Sequence, residues 1–249
     1  MARQETYYYG QGKLYLARRD PYGKPLAWYW VGDVSALSIA LTVENLTHKE
    51  SYSGQKATVR RFNVGKDGTV TSTWHDHSPE NLAIVLYAST LTLPAGTVTG
   101  EMLPDTVKAG ERHTLAHQNV SDVEIAGLTP GDDFTVDPVY GAIEFLTTPA
   151  TAPSVSYAHA GATNTALFNA KPEDLVMRYE GINLAENGAA VIAELYKVSF
   201  DPTSAMSLIN TDTSLAGLET TAGILMDTAR PLDALLGRFG RIIHVAESV

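Results

Sequence analysis

The chain has 249 residues, which is enough to bury a sizeable core in one large domain or in a domain with an insertion. Apolar residues make up 44% and charged residues 18%, and this balance excludes a chain that is mostly disordered. The formal net charge of -10 argues against a protein that grips nucleic acid, because such affinity comes mainly from Lys and Arg. The absence of cysteine excludes disulfides, thiolate metal sites and cysteine nucleophiles.

The N-terminal sequence carries no sign of secretion. Residues 1–20 lack the apolar core of a signal peptide, and no apolar run approaches the roughly 18 residues that a membrane helix needs. We therefore expect a soluble product of the cytoplasm with no membrane insertion.

The first third of the chain alternates apolar and polar residues as β-strands do. In the stretch SALSIALTVE, every second residue from Leu37 to Val43 is apolar. The later stretch GTVTSTWHDH places Thr69, Thr71, Thr73 and His75 on one face of a strand. These two runs predict a sheet with one apolar and one polar face.

Local signals predict the turns and one helix. Lys66-Asp67-Gly68 has the composition of a hairpin turn, since an Asp-Gly pair tolerates positive φ. Ser78, as N-cap ahead of Pro79, predicts a short helix over residues 78–89 that packs one apolar stripe on the sheet. Asn187-Gly188 predicts the turn of a second long hairpin.

A change of residue composition in the middle of the chain predicts an inserted domain. Proline, glycine and short strand-like runs become frequent between about residues 100 and 165. We therefore divide the chain into a first part of the main domain over residues 1–100, a small inserted β domain over 101–165, and a second part of the main domain over 166–249.

The residues that normally carry chemistry are not arranged as a site. His75 and His77 share one side of a strand and His113 and His117 lie four residues apart, but third and fourth metal ligands are missing. The aspartates of residues 132–137 lack the spacing of a calcium loop. No phosphate loop, nucleophile elbow or zinc-protease motif occurs. The sequence predicts no catalytic residue, no metal and no cofactor.

A basic cluster at Lys56, Arg60, Arg61 and Lys66 has two ordinary explanations. It is either a solvated face of a hairpin or a contact surface in protein assembly, and nucleic-acid binding ranks third. The aromatic residues around Tyr7 to Tyr9 lack interleaved basic residues, which favours packing or an interface over base stacking.

The order of these features resembles that of the major tail tube proteins of long-tailed, siphovirus-type bacteriophages. The resemblance runs from about residue 30 to residue 228 and rests on HKESYSG, SPENLA, RYEGIN and the YKVSFDP stretch. It implies a mainly β fold: a tail-tube-type β-sandwich or barrel with one short helix packed outside, plus a small inserted β domain that projects outward. It also implies a structural virion protein and not an enzyme.

The resemblance further implies partners and a location. Copies of the chain would form homohexameric rings that stack into the tail tube, next to the tail tip, tape measure and tail terminator proteins. Genome DNA would pass through the lumen without specific binding. The protein would be assembled in the host cytoplasm and would reside in the tail of the virion.

Two sets of site residues follow from this interpretation. The polar face would line the lumen while Leu37 to Val43 pack outward under the helix. The lumen-facing candidates are Glu44, Thr69, Thr71, Thr73 and His75. The candidates for a loop that contacts the next ring are Lys49, Glu50, Tyr52, Gly54, Lys56, Arg60 and Arg61.

Three alternatives stay open at the level of sequence. A tube protein of a contractile tail or of a secretion system would share the barrel and differ in its partners. A monomeric carbohydrate-binding β-sandwich would expose aromatic residues on one face. A hydrolase would need a pocket with a carboxyl group of shifted pKa.

Overall fold

The chain folds mainly as antiparallel β-sheet. The computed structural model describes residues 5–211, 213, 215–231 and 236–245. Strands take up 53% of the residues and helices 4%, which confirms the mainly β class. No helix in these ranges is long and apolar enough to cross a membrane. The chain forms two compact units, a larger one from residues 1–89 and 167–249 and a smaller one from residues 90–166.

Sixteen strands, one α-helix and one 3-10 turn follow one another along the described chain. They are β1 (Gly10–Arg19), β2 (Pro25–Trp30), β3 (Val34–Lys49), β4 (Thr58–Trp74), α1 (Pro79–Val85), β5 (Ser89–Leu93), β6 (Gly96–Met102), β7 (Arg112–Thr114), β8 (Val120–Ile125), β9 (Phe134–Asp137), β10 (Ala142–Phe145), β11 (Ser154–His159), β12 (Ala162–Ala166), β13 (Asp174–Asn183), the 3-10 turn (Leu184–Glu186), β14 (Ala189–Phe200), β15 (Leu218–Ile224) and β16 (Gly240–His244).

One antiparallel sheet organises the larger unit. Its strand order is β2, β1, β13, β14, β15, β4 and β3. Strand β16 pairs with Val191–Leu195 of β14, on the edge that β15 pairs with at Val198–Phe200. Two long hairpins, β3 with β4 and β13 with β14, are separated by the shorter strand β15. Strand β3 is an edge strand, so one side of its backbone has no strand partner among the described residues of the single chain.

The first hairpin is longer than the sequence predicts. Strands β3 and β4 pair from Val34 with Trp74 to Lys49 with Thr58, so its connecting loop is residues 50–57. The predicted turn at residues 66–68 is wrong, because Asp67 and Gly68 lie inside β4 and pair with β3. Sheet register across the whole hairpin outweighs the local turn preference of Asp-Gly.

Helix α1 is shorter than the predicted span of residues 78–89. Ser78 caps it as expected, since its hydroxyl accepts a hydrogen bond from the Asn81 amide at 3.4 Å. The helix stops at Val85 because Tyr87 adopts φ +49 and the chain turns into β5. The Asn81 side chain ties the helix to the sheet by donating to the Val31 carbonyl at 2.7 Å.

The core of the larger unit lies on one side of this sheet. Trp74 and Phe200 meet edge to face with ring centroids 5.4 Å apart, and Val85 brings the helix onto the same cluster. A small polar network is buried beside them. Ser72 accepts a hydrogen bond from the Trp74 indole at 2.8 Å and lies 2.6 Å from the Thr220 hydroxyl.

The smaller unit has its own core and its own sheets. Strands β6, β11 and β8 form one three-stranded sheet, strands β7, β10 and β9 form a second, and β5 pairs with β12. Phe134, Ile143, Phe145 and Val155 are fully buried between them. The unit begins at Thr90 and not at residue 101, because β5 and β6 already pair with β12 and β11.

Candidate functional site

Four of the five lumen-facing candidates lie on one face of the first hairpin. Strand register puts Ala40 opposite Thr69, Ser38 opposite Thr71 and Glu44 opposite Gly65. Side chains alternate between the two sides of a strand, so Glu44, Thr69, Thr71 and Thr73 point to the same side. The hydroxyls of Ser38 and Thr71 lie 2.7 Å apart and join the two strands. We call this side the polar face and the opposite side the apolar face.

Strand β15 extends the polar face with residues that sequence reasoning missed. Thr221 pairs with Thr71, and Glu219 pairs with Thr73. The signal was present in the stretch LETTAGI, where exposed Glu219 and Thr221 alternate with buried Leu218. The sequence alone does not tell that this run joins β4.

The polar face carries hydroxyls, small side chains and acidic groups. Between Ala36 and Glu44, and over the strand positions paired with them on β4 and β15, the charged residues are Glu44, Asp67 and Glu219. No Lys or Arg occupies a polar-face position in this part of the described chain. A polyanion such as DNA would find no Lys or Arg there to neutralise its phosphates and release its counterions, so this surface should not hold it.

His75 differs from the other four candidates. It follows the last residue of β4, and its Nδ1 lies 3.1 Å from the carbonyl oxygen of Ala216. The ring is therefore held against the backbone at the end of the polar face. No group of three or more potential ligand side chains gathers here or elsewhere in the described residues.

The loop at the tip of the first hairpin is organised around Glu50. Its carboxylate accepts hydrogen bonds from the Ser53 hydroxyl and from the amides of Tyr52 and Ser53, both at 2.8 Å. These bonds, led by the one from the Ser53 hydroxyl, lower the pKa of Glu50 to about 2. Glu50 is buried, so within the single chain its side chain holds the loop together.

The other candidates at the tip are exposed. Lys49, Lys56, Arg60 and Arg61 have no carboxylate partner within the part of the chain that the structure describes. Tyr52 is 86% exposed at the end of the hairpin. Gly54 adopts φ +79 with open space around it, a conformation that L side chains rarely take. The tip is thus a basic surface that faces solvent, and the buried Glu50 carboxylate beneath it holds the loop through hydrogen bonds.

The apolar face is only partly covered, which corrects a prediction. Leu37 packs on the core, but Ile39, Leu41 and Val43 are 39%, 75% and 46% exposed. Helix α1 does not shield them. It has seven residues and packs near the base of the hairpin, so its length of about 10 Å covers only that end.

A groove of about 950 Å³ opens on the apolar face, between the first half of β3 and the second hairpin. Leu37 and Ile39 form one wall, and Tyr179 and Ile242 lie on the other. Burial and then a hydrogen bond with Tyr8 raise the pKa of Tyr179 to about 12, so its hydroxyl remains neutral in this groove.

Comparison with known proteins places the chain in a family. A family model described as "Protein of unknown function UCP028589" matches residues 7–243. The chain belongs to this family. No curated protein matches the chain.

The family match covers most of the residues described for the site. The range 7–243 contains both long hairpins, strand β15 and the whole smaller unit. The smaller unit and the hairpin tip lie inside the matched range.

Proposed function

We propose that this chain is a structural protein whose copies close into hexameric rings, and that the rings stack into the tail tube of a long-tailed bacteriophage. The tube would conduct genome DNA into the host. One observation carries the proposal. Strand β3, which forms half of the polar face, is an edge strand of 16 residues, and its outer side has no strand partner within the described chain.

The open edge gives a physical reason for ring closure. A long exposed edge strand presents unpaired backbone donors and acceptors and is a template for another chain. Pairing such edges around a closed ring removes every free edge at once. The partly covered apolar face supports the same conclusion, since exposed apolar rows on a soluble chain usually mark an interface.

The dimensions and chemistry suit a DNA conduit. If six subunits each give four strands at a spacing of about 4.8 Å and a tilt near 40°, the barrel backbone has a diameter of roughly 48 Å. That leaves about 35 to 40 Å between side chains, enough for a hydrated duplex. The part of this wall that the first hairpin supplies would carry hydroxyls and carboxylates, which would let the duplex slide past it.

Stacking of the rings would use the hairpin tips. Strands β4 and β14 run in the same direction because each is antiparallel to β15, so both hairpins point to the same end of the sheet. The first tip is basic, whereas exposed Asp76 and Glu80 lie at the opposite end of that hairpin. This charge difference favours head-to-tail stacking. The tail tip, tape measure and tail terminator proteins would bound the stack.

Sedimentation velocity combined with negative-stain microscopy tests the proposal. We expect purified protein at increasing concentration to form rings or tubes with a stain-filled centre. Single molecules at every concentration, including in the presence of the isolated tail-tip complex, would overturn it. A contractile tail or secretion-system tube would give the same rings and would differ in binding a sheath protein.

Exposed tryptophans favour a second candidate function. Trp28 and Trp30 are 38% and 53% exposed on one side of edge strand β2, and Lys13 stacks over the Trp30 ring at 5.3 Å. Such a strip suits stacking on sugar rings. Titration of oligosaccharides against tryptophan fluorescence tests it. Saturable quenching that Trp28→Ala and Trp30→Ala remove, with no assembly of the protein, would favour this candidate over the tube.

A further inference from the structure

The base of the groove on the apolar face has no projecting side chain where glycine lines it. A Cβ atom on Gly12 would lie 2.3 Å from the Glu180 carbonyl oxygen and 2.5 Å from the Gly181 Cα, so a larger residue does not fit. The Tyr179 ring lies against Gly181, where a Cβ atom would collide with it. The floor is therefore backbone and flat aromatic ring, and the space above it is open to a large apolar group.

An apolar ridge stands on the same face of the same hairpin. Leu41 and Val43 continue the row of Leu37 and Ile39 beyond the end of the groove and are largely exposed. We call Leu41 and Val43 the ridge. Two branched aliphatic side chains at every second position of a strand have the shape and polarity of an occupant for this groove.

Two opposite charges accompany the groove and the ridge. Asp33 lines the groove, and its carboxylate has no partner within the described residues. Lys66 is the cross-strand neighbour of Val43 on the ridge, and it too lacks a partner within those residues. The groove thus has an unpaired anion at one end, and the ridge has an unpaired cation beside it.

These two charges are too far apart to pair within one chain. Asp33 lies next to Val34, which pairs with Trp74 at the base of β4. Lys66 lies on β4 eight residues before Trp74. At about 3.4 Å per residue, Lys66 is therefore about 27 Å from the end of the hairpin where Asp33 lies. Any contact between them must join two copies of the chain.

We propose that the groove of one copy receives the Leu41 and Val43 ridge of a second copy, with Lys66 of the inserted hairpin against Asp33 of the groove. The contact rests on the proposed function, because it supplies the lateral interface of the ring. Every copy carries both a groove and a ridge, so the contact is head to tail and repeats until the ring closes. Burial of the ridge also completes the apolar core that each single chain leaves open.

Cysteine pairing tests the contact directly, because the natural chain has no cysteine. A chain with Asp33→Cys is mixed with a chain with Lys66→Cys under mild oxidation. We expect a covalent dimer of the two variants. The control pair, Asp33→Cys with Lys108→Cys, uses an exposed lysine of the smaller unit and should give at least tenfold less dimer.

Charge reversal provides an independent measurement. Lys66→Asp alone and Asp33→Lys alone should each lower the yield of assembled rings at least tenfold, and the double variant should restore it. Lys108→Asp makes the same charge change elsewhere and should leave the yield unaltered. Leu41→Ser with Val43→Ser should prevent assembly while the monomer keeps its melting temperature, since both side chains are exposed before assembly.

The outcomes separate this contact from the proposed function. If the natural chain forms rings but the cysteine pair gives no more dimer than its control and the charge variants assemble normally, the contact is wrong and the tube proposal stands. If the natural chain never assembles, both fall.

Discussion

The most informative variant places lysines on the polar face. Thr69 and Thr71 are both exposed there, whereas Thr73 is half-buried with Gly217 close to its methyl group, so positions 69 and 71 accept long side chains best. The double change removes the hydrogen bond between Ser38 and Thr71 and two residues with high β propensity. The cost should be about 1–3 kcal/mol, which a domain with a stability of about 5–15 kcal/mol tolerates.

The effect on DNA follows from the proposed ring. Two lysines in each of six subunits add about 12 cations per ring, and we assume that about 4–6 of them contact phosphates of a duplex in the bore. The logarithm of the binding constant should then fall with the logarithm of salt concentration with a slope of about -3.6 to -5.4. Between about 50 and 200 mM salt the affinity would drop by roughly 200- to 2,000-fold.

Nuclease protection provides the assay. Tubes that carry Thr69→Lys and Thr71→Lys are incubated with short duplex DNA, treated with nuclease, and assayed for protected DNA at several salt concentrations. Tubes with Thr69→Gln and Thr71→Gln have similar side-chain length without charge and serve as the matched control. The reasoning is refuted if lysine tubes protect no more DNA than glutamine tubes at low salt.

Three further predictions concern stability and pH. Asp227→Asn should lower the free energy of unfolding by about 3–5 kcal/mol in urea titration, since it leaves Arg19 beside a buried neutral group in place of an ion pair at 2.5 Å. Ser72→Ala should cost about 1–3 kcal/mol in the same titration, because the buried Trp74 indole loses its acceptor. The pKa of Glu50 is lowered to about 2, so its support of the tip loop is complete above about pH 4.5 and is lost as the pH falls toward 2, which amide exchange of residues 52 and 53 should report.

Each of these predictions has a control. Asp174→Asn breaks the more exposed pair with Lys197 and should cost no more than about 1 kcal/mol. Ser38→Ala removes an exposed hydrogen bond and should cost less than about 1 kcal/mol. If the buried and the exposed variant of either pair lost the same free energy of unfolding, the stabilising role given to the buried ion pair or the buried hydrogen bond would be wrong. Glu50→Gln should speed amide exchange in the loop at neutral pH, and unchanged exchange would show that the carboxylate does not hold the loop.

The sequence predicted those features that short-range chemistry determines. Ser78 caps the helix because a hydroxyl at that position meets an unpaired amide of the first turn. Asn187 and Gly188 adopt φ +53 and +79 in the loop of the second hairpin, as an Asn-Gly pair prefers. Alternation alone put Thr69 and Thr71 on the same side of a strand.

The sequence failed where distant residues decide the outcome. Asp67 and Gly68 pair with β3 and do not form a turn, because the register of the full hairpin overrides a local preference. The insertion of β15 between the two hairpins depends on pairings between residues far apart in the chain, as between Ser72 and Thr220. Exposure of Leu41 could not be foreseen, since an apolar stripe reads the same whether its own chain or a second copy covers it.

Cryo-electron microscopy of the assembled protein, viewed along the ring axis and reconstructed, tests the central claim most directly. The account predicts a closed ring of six identical copies around a bore of roughly 35 to 40 Å, with the side chains of Glu44, Thr69 and Thr71 on its wall. A ring whose bore is lined by another surface, or a preparation that holds only separate molecules, would contradict it.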